Sequence, residues 1–246
     1  MHLDAEAFVC AAIPHGENGA VVRFLTAEAG LVAAYVPGGR SQRLRPALAP
    51  GTRVRLRLDG RSETQLARAG VEMVRSRAAL AFDPLALALV EWLAGLAATL
   101  LPEGHPYPRI HETLESVLDL AELQDDPLVT LAALARFELL LLAELGFGLD
   151  LSACAATGQT HALAFVSPKT GRAVSAGAGA PYADRLFRLP AFIANGGAAS
   201  AEDVAEALRI ARHFIERDLL AGRRAASLTA ARDRIEARLS TKGLKR

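Results

Sequence analysis

Arginines form the clearest functional pattern in this sequence, and the most regular part of that pattern lies at residues 52–58. This stretch reads T-R-V-R-L-R-L. Because successive side chains of a β-strand point to opposite faces, the alternation predicts a strand with one buried apolar face and one solvated basic face. Guanidinium groups in register along a strand can pair with the phosphates of a nucleic acid. The predicted basic face comprises Arg53, Arg55 and Arg57.

More arginines flank this predicted strand. From Arg40 to Arg61 the sequence holds seven arginines and a single acid, Asp59. A basic stripe of this kind on a small β-domain is typical of proteins that bind nucleic acids. Binding to single strands needs a positive groove along the phosphates and no reading of base edges. We therefore predict phosphate contacts by Arg40, Arg43, Arg45, Arg53, Arg55 and Arg57.

No other residue types form a catalytic or metal-binding pattern. The six histidines lie outside the sequence contexts of nucleophilic hydrolases, zinc peptidases and zinc deaminases. His111 and Glu115 have the i,i+4 spacing of metal ligands, but without further ligands a solvated acidic helix face is the favoured interpretation. Cys154 stands alone, which excludes a four-thiolate zinc site. We expect no catalytic residue, no metal and no cofactor.

The first 77 residues are predicted to form only β-strands. Turn signals such as P-H-G-E-N-G at residues 14–19 separate five short apolar or alternating segments. Five strands in this length are typical of a small closed barrel such as an OB-fold, with an SH3-like barrel as the main alternative. Phe24 and Tyr35 lie on the second and third predicted strands, where each could either stack on a base or pack in the core. The predicted strands are Ala5–Ile13, Val21–Thr26, Leu31–Val36, Thr52–Leu58 and Thr64–Val74.

From Pro84 onward the pattern becomes helical, with one interruption at residues 150–181. Apolar residues at helical spacing, the caps Asp126 and Ser200, and the stop at Gly146 set the predicted bounds. The interruption is rich in glycine and contains one short predicted strand, Leu163–Val166. We predict an α+β protein with an OB-fold at residues 1–78 and a helical domain at 79–246 that carries a loop or hairpin module at 150–181. The predicted helices are Leu85–Leu101, Arg109–Leu123, 127–145, 200–220 and Ser227–Leu239, followed by a frayed tail at 242–246.

Composition and charge indicate a globular intracellular protein. Of the 246 residues 51% are hydrophobic, enough for a sizeable core. Two cysteines are too few for a disulfide framework and favour a reducing compartment. The first eight residues lack the basic start of a signal peptide, and no apolar run is long enough to span a membrane, so we expect a cytoplasmic location. Charge is segregated, since residues 81–150 hold 2 basic and 12 acidic side chains whereas residues 151–246 hold 15 and 8.

Several segments resemble the RecO family of bacterial recombination mediators. Residues 136–150 read R-F-E-L-L-L-L-A-E-L-G-F-G-L-D, similar to that family's R-F-E-x-x-L-L-x-x-L-G-[YF]-G segment, and Cys154 follows at the family's spacing. F-V-S-P at 165–168 and G-R-A-V at 171–174 resemble the subgroup that has a metal-free hairpin in place of the zinc module. The N-terminal part is similar at Gly16, Glu17, Thr26, Gly30, Gly38 or Gly39, and Arg40.

The resemblance implies an OB-fold followed by a helical domain, with no enzymatic activity. It also implies binding to single- and double-stranded DNA and annealing of complementary strands. The implied protein partners are the C-terminal tail of the single-stranded-DNA-binding protein SSB, and RecR, with which the family helps RecA to displace SSB. The expected place of action is the bacterial cytoplasm, at the nucleoid.

Arg136 is the residue that the resemblance implicates in gripping the SSB tail. That tail ends in an acidic, apolar tip, so its pocket should combine an arginine with an apolar floor. Arg136 falls on the family's R-F-E position and lies beside Phe137, with Arg209 and Arg212 on a later helix as further candidates. The alternative is that Arg136 forms an ion pair with Glu138 or with an acid of a neighbouring helix.

Two other classes of function are compatible with the residues alone. OB-folds also bind RNA, so an RNA-binding protein is one alternative. The other is a scaffold that binds only proteins, in which the arginines pair with the acidic middle of the chain within the molecule. Comparing the affinities for matched DNA and RNA strands distinguishes an RNA-binding protein from a DNA-binding one. Absence of DNA binding would favour the scaffold.

Overall fold

The computed structural model describes residues 2–60, 66–123, 126–222 and 226–241. The chain divides into two compact units. The first comprises Met1–Leu123 and Ala226–Arg238, and the second Gln124–Ala225 and Leu239–Arg246. The change from strands to helices falls near the boundary predicted after residue 78, but the first compact unit extends further and includes helices.

The first unit begins with a closed barrel of five strands in the order β1-β2-β3-β5-β4. All neighbouring pairs are antiparallel except β3 and β5, which pair in parallel. This arrangement confirms the predicted OB-fold against the SH3-like alternative. The strands are β1 His2–His15, β2 Gly19–Thr26, β3 Gly30–Val36, β4 Arg53–Asp59 and β5 Ala67–Arg75. The predicted start of the last strand at Thr64, and Arg61 before it, lie outside the described residues.

Alternation along the strands fills the barrel and leaves the arginines outside. Val54, Leu56 and Leu58 are fully buried, whereas the arginines between them are not. Phe24 is also fully buried in this core, so it packs and does not face a ligand. Leu44 and Leu48, from the loop between β3 and β4, close the barrel from one end.

Two helices follow the barrel in the first unit. A 3₁₀ turn at Ala78–Phe82 leads to α1 Pro84–Leu100, whose first turn is capped by the Asp83 carboxylate, and α2 covers Pro108–Leu123. The segment before α2 packs on β3, where the Gly104 amide donates to the Leu31 carbonyl at 2.9 Å. Gly30 is needed at this contact because its φ is 68° and a Cβ there would overlap the His105 carbonyl.

A network of two arginines and two acids fixes the end of β5 to α2. Arg75 lies 2.7 Å from Asp119 and 2.6 Å from Glu122. Arg77 lies 2.5 Å and 2.6 Å from the same two carboxylates, and its side chain is only 2% exposed. Since both acids are shared by both cations, the network holds barrel and helix in one arrangement within this unit.

The second unit is built from helices and one small sheet. α3 spans Pro127–Glu144 and is capped by Asp126, as predicted. The predicted strand Leu163–Val166 exists as β6, and it pairs with β7 Ala173–Ser175 in a hairpin. A further strand, β8 Phe187–Arg188, completes the sheet in the order β7-β6-β8 and was not predicted. The helices after β7 are α4 Ala176–Gly179, α5 Ala191–Ala194 and α6 Ala201–Phe214.

The predicted helical bounds near the C-terminus are confirmed with one change. Ser200 forms a capping box with Asp203 at the start of α6. The predicted continuation to residue 220 is a π-helical turn, Ile215–Leu219. The last helix, α7 Ala226–Thr241, belongs mainly to the first unit, while the tail predicted to fray lies outside the described residues. Among the helices described, none is long and apolar enough to cross a membrane.

Candidate nucleic-acid interface

The basic face of β4 lies beside acids that the neighbouring strand supplies. In the antiparallel β1–β4 pair, Asp4 is opposite Arg57 and Glu6 is opposite Arg55. Arg55 Nε donates to Asp4 Oδ1 at 2.8 Å, and Arg57 Nε lies 3.5 Å from Asp4 Oδ2. The hydrogen bond from Arg55 lowers the pKa of the Asp4 carboxyl below its usual range. The side chains of Arg55 and Arg57 are still 50% and 62% exposed, so a ligand can reach them.

Arg53 is the most restrained of the three strand arginines. It lies 3.1 Å from Glu6 Oε2 and also donates to Glu115 of α2. Only 29% of its side chain is exposed. The sequence count of seven arginines against one acid therefore does not describe the folded surface. Strand pairing brings Asp4 and Glu6 to this face, and α2 contributes Glu115. Whether these arginines contact DNA stays a prediction.

The arginines of the loop between β3 and β4 have different surroundings. Arg40, Arg43 and Arg45 are exposed, and none forms an ion pair with a residue that the structure describes. Arg40 donates to the backbone carbonyls of Gly16 and Glu17 at 3.2 and 2.8 Å, so its position is fixed while its charge is not neutralised. We call Arg40, Arg43 and Arg45 the loop arginines. Arg40 and Arg45 line a surface pocket of about 470 Å³ together with Ala12, Pro14, Ala20, Gly39 and Leu48.

Tyr35 lies on the outer face of β3, next to the same end of the barrel. Its side chain is half-buried. The ring lies over Gly19, where an added Cβ would come within 2.2 Å of it, and its centroid is 6.0 Å from the His15 ring. Gly19 follows the β1–β2 turn whose carbonyls hold Arg40. Of the two interpretations open for Tyr35, the structure favours the surface position, which leaves base stacking as a prediction.

Arg68 is a surface cation that the sequence did not single out. It lies on β5 directly beside Tyr35 in the parallel β3–β5 pair. On the other side of β5, Arg57 is opposite Gly70, two positions further along the strand from Arg68. Residues two apart on a strand share a face, so Arg57, Arg68 and Tyr35 follow one another across β4, β5 and β3. Neighbouring strands are about 4.8 Å apart and two residues along a strand add about 6.7 Å, so this row spans roughly 12 Å.

In the second unit, Arg136 lies over an aromatic ring at the surface of α3. It is exposed on α3, and its guanidinium lies 4.9 Å from the ring centroid of Phe192, which is buried. One nitrogen donates to the Gly197 carbonyl at 3.1 Å. Arg136 has no ion pair with any acid of the described chain, and Glu138 is fully buried. The ion-pair alternative is therefore not what the structure shows for Arg136.

The other two candidate arginines of this unit are engaged with acids. Arg209 forms a two-pronged contact with Glu206, at 2.9 and 2.7 Å, and lies 4.6 Å above the Phe187 ring. Arg212 Nε lies 2.8 Å from Glu216 Oε1. Arg136 contacts the Phe192 ring and the Gly197 carbonyl instead. The structure therefore gives no direct support for one site shared by all three.

The residues considered for metals do not gather into a site. Within the described ranges, no three His, Cys, Asp or Glu side chains lie close enough to hold an ion. His111 packs against the Phe8 ring at 5.0 Å, and burial lowers its pKa. Cys154 Sγ accepts the Ser175 amide at 3.2 Å, and hydrogen bonding by Ser175 lowers the pKa of this thiol to about 6. This single thiol secures the loop before β6 to the end of β7.

Comparison with known proteins agrees with these features. Residues 1–92 match the family model "Recombination protein O N terminal", and residues 81–226 match "Recombination protein O C terminal". The chain belongs to the RecO family. Curated relatives carry the name DNA repair protein RecO. One from Phenylobacterium zucineum is 48% identical over 218 residues, 88% of each chain. Another from Paracoccus denitrificans is 40% identical over 240 residues, 98% of this chain and 97% of that one.

Membership of the RecO family also accounts for the architecture. The N-terminal match coincides with the OB-fold barrel and the start of α1, and the C-terminal match covers helices α1 to α6 and the β6–β7 hairpin. A third relative, from Caulobacter vibrioides, is 45% identical over 218 residues. The predicted family is thereby confirmed.

Proposed function

We propose that this RecO-family protein is a DNA repair and recombination mediator that binds single- and double-stranded DNA through the outer surface of its barrel. The observation that carries the proposal is a row of outward-facing residues, Arg57, Arg68 and Tyr35, on an OB-fold. The same fold presents the loop arginines, which form no ion pair with a described residue. Positive side chains beside an aromatic ring are what a sequence-tolerant single-strand binder requires. The names of the relatives support a role in DNA repair.

Charge neutralisation is the mechanism that these residues can supply. Each arginine that meets a phosphate releases a condensed counterion, which favours binding at low salt. Two complementary strands held by the same surface repel each other less, so pairing between them becomes easier. This accounts for annealing without any catalytic group, and we propose no enzymatic activity and no cofactor.

We further propose that Arg136 receives the SSB tail. Its guanidinium, which has no acidic partner among the described residues, can pair with a carboxylate, while the buried Phe192 ring beneath it holds the guanidinium in place. Binding of the tail would bring the protein to SSB-covered strands, where RecR and RecA act next. The place of action would be the bacterial cytoplasm, at the nucleoid.

The DNA-binding proposal is tested by titrating a fluorescent single-stranded oligonucleotide at several salt concentrations. Each phosphate contact adds about 0.7 to the slope of log affinity against log salt on single strands. We expect a slope on the order of −2 to −4, for three to six arginines. No binding at low salt would overturn the proposal. Equal affinity for a matched RNA strand would favour the RNA-binding alternative.

The tail-binding proposal is tested with a peptide that ends in the acidic, apolar SSB sequence. Arg136→Ala should lose most of the peptide affinity while its DNA affinity stays unchanged, because Arg136 lies outside the barrel. Arg209→Ala is the matched control, since that guanidinium is already engaged by Glu206. If Arg209→Ala lost the peptide and Arg136→Ala kept it, the pocket would lie on α6.

A protein-only scaffold is the second candidate, and one observation favours it. Arg53, Arg75 and Arg77 all pair with acids of α2, so part of the arginine content serves the fold. This interpretation predicts that the loop arginines bind an acidic protein surface. Absence of DNA binding in the salt series would make it the better explanation.

A further inference from the structure

We propose that Tyr35 and Arg68 form a single nucleotide subsite at the seam between β3 and β5, in which a base stacks on Tyr35 and the adjoining phosphate pairs with Arg68. The inference rests on the proposed DNA-binding function and adds the residues that hold one nucleotide. Arg68 is the residue that this inference adds, because neither its strand position nor its sequence context indicated a contact with DNA.

The seam is short and places the two side chains side by side. β3 and β5 pair at only two positions, Ala34 with Ala67 and Tyr35 with Arg68. Residues paired across neighbouring strands point to the same face, and the backbones are about 4.8 Å apart. Ala34 is buried, so its neighbour Tyr35 must face outward, and Arg68 beside it is exposed. A nucleotide spanning this distance can touch both groups.

The charge on Arg68 remains open to a ligand. It forms no ion pair with any residue of the described ranges. The acid opposite it on β4 is Asp59, whose contact is instead with His2 Nδ1 at 3.2 Å. Arg57 lies diagonally across the strand pair and adds positive potential to the same face. The described acids beside these two arginines are Asp59, opposite Arg68, and Asp4, which contacts Arg57.

The aromatic ring is held in place before any ligand arrives. Gly19 lies under it, and the close approach leaves no room for a Cβ. The His15 ring meets it edge-on, with an angle of 76° between the planes. A ring that is already immobilised loses little entropy when a base stacks on it, which favours binding. Gly19 is thus a positioning residue for Tyr35.

The test uses two oligonucleotides of equal length, one normal and one in which several central nucleotides lack bases. Base stacking on an aromatic ring commonly contributes about tenfold or more to affinity. We expect Tyr35→Ala to lose roughly that factor on the normal strand and little on the abasic one. Tyr35→Phe, which keeps the ring, should retain the wild-type affinity. Gly19→Ala should behave like Tyr35→Ala because it displaces the ring.

Substitutions of Arg68 and Tyr35 should affect DNA binding in different ways, so the two roles can be told apart. Arg68→Ala should weaken both oligonucleotides alike and reduce the salt slope by about 0.7, the value for one phosphate. Arg68→Lys should restore the slope. Arg185→Ala is the matched control, since Arg185 is an exposed arginine of the second unit with 79% of its side chain in solvent. In the double variant Tyr35→Ala, Arg68→Ala, the combined loss should differ from the sum of the single losses, because one nucleotide bridges both groups.

A fluorescence measurement gives an independent signature. The chain has a single tryptophan, Trp92, which is buried in α1. Tyr35→Trp therefore adds one partly exposed reporter, which a stacked base should quench and the abasic strand should not. If wild-type protein binds DNA but the variants at 35 and 68 match Arg185→Ala and no quenching occurs, the subsite is wrong and the DNA-binding function stands. If wild-type protein binds no DNA, the proposed function itself fails.

Discussion

The arginines of the β3–β4 loop and those of the strands have the same chemistry but different surroundings. The loop arginines are exposed, and the structure gives them no acidic partner among its described residues. Arg53 on β4 and Arg77 after β5 each contact two carboxylates. Since both groups belong to one compact unit, the difference arises from local pairing. An arginine that already has two acids contributes to the fold, and one without an acid can serve a ligand.

Arg55 and Arg57 lie between these extremes. They share one carboxylate, Asp4, and remain half or more exposed. Surface ion pairs of this type are weak in water, so a phosphate can compete for such a guanidinium. The comparison therefore orders the arginines by availability, with the loop first, Arg57 and Arg55 next, and Arg53 and Arg77 last.

The largest effect is expected when the most deeply paired arginine is removed. Arg77→Ala leaves Asp119 and Glu122 with Arg75 alone and opens space around a nearly buried side chain. Removing one partner of a buried ion pair is strongly destabilising, and because both acids are partly exposed we expect about 2–3 kcal/mol loss in the free energy of unfolding. Chemical denaturation measures it. Arg43→Ala is the control and should change stability little, because Arg43 is exposed and has no acidic partner among the described residues. Equal stability of both variants would contradict the comparison.

The next effect concerns the loop arginines together. The variant Arg40→Ala, Arg43→Ala, Arg45→Ala should lower the single-strand salt slope by about 2, three times the value for one phosphate. Affinity at moderate salt should fall by an order of magnitude or more, while the unfolding midpoint changes little because these side chains are exposed. The matched triple variant replaces Arg53, Arg55 and Arg57 with Ala. It should lose less affinity and more stability, since Arg53 joins Glu6 and Glu115; the reverse ranking would place the main DNA contact on β4.

Most of the strands and helices could be predicted from the sequence because local signals determine them. Period-two alternation located β4, and the caps Asp126 and Ser200 located the starts of α3 and α6. β8 was missed because a strand of two residues, Phe187–Arg188, has no measurable period. It exists only because it can pair with β6.

The candidate site was less predictable because its contacts join distant parts of the chain. Nothing local indicates that Asp4 lies opposite Arg57, since that pairing depends on the register between the first and fourth strands. The same holds for Tyr35 beside Arg68, which requires the one parallel pair of the barrel. Arg136 was identified by its motif, but its partner Gly197 lies 61 residues away. Register and tertiary packing are what the residue pattern alone leaves undetermined.

The smallest expected effect concerns Arg55 and Arg57, whose availability is intermediate. It is tested by changing Asp4, the acid that both contact. Asp4→Asn keeps the shape of the side chain but removes the charge that Arg55 and Arg57 share, so both become more available to phosphate. Glu6 and Glu72 still lie opposite Arg55 on the neighbouring strands. We expect single-strand affinity to rise roughly two- to fivefold, a modest factor because exposed ion pairs are weak. The salt slope should become steeper by up to about 1.4, the value for two phosphates. Glu28→Gln controls for net charge, since Glu28 is an exposed acid of the β2–β3 turn with no ion pair in the described chain.

The effect of pH on Asp4 follows from the direction of its pKa shift. Because the hydrogen bond from Arg55 lowers the pKa of Asp4 below its ordinary value, this carboxylate stays ionised throughout the range from pH 5 to pH 8. The stabilisation from this pair is present above the unfolded-state pKa and is lost only as the pH falls through the lower folded-state value. Mild acidification should therefore not reproduce the gain seen with Asp4→Asn. If Asp4→Asn instead bound DNA more weakly than Glu28→Gln, Asp4 would hold the two arginines in the geometry that DNA needs, and pairing would assist binding instead of competing with it.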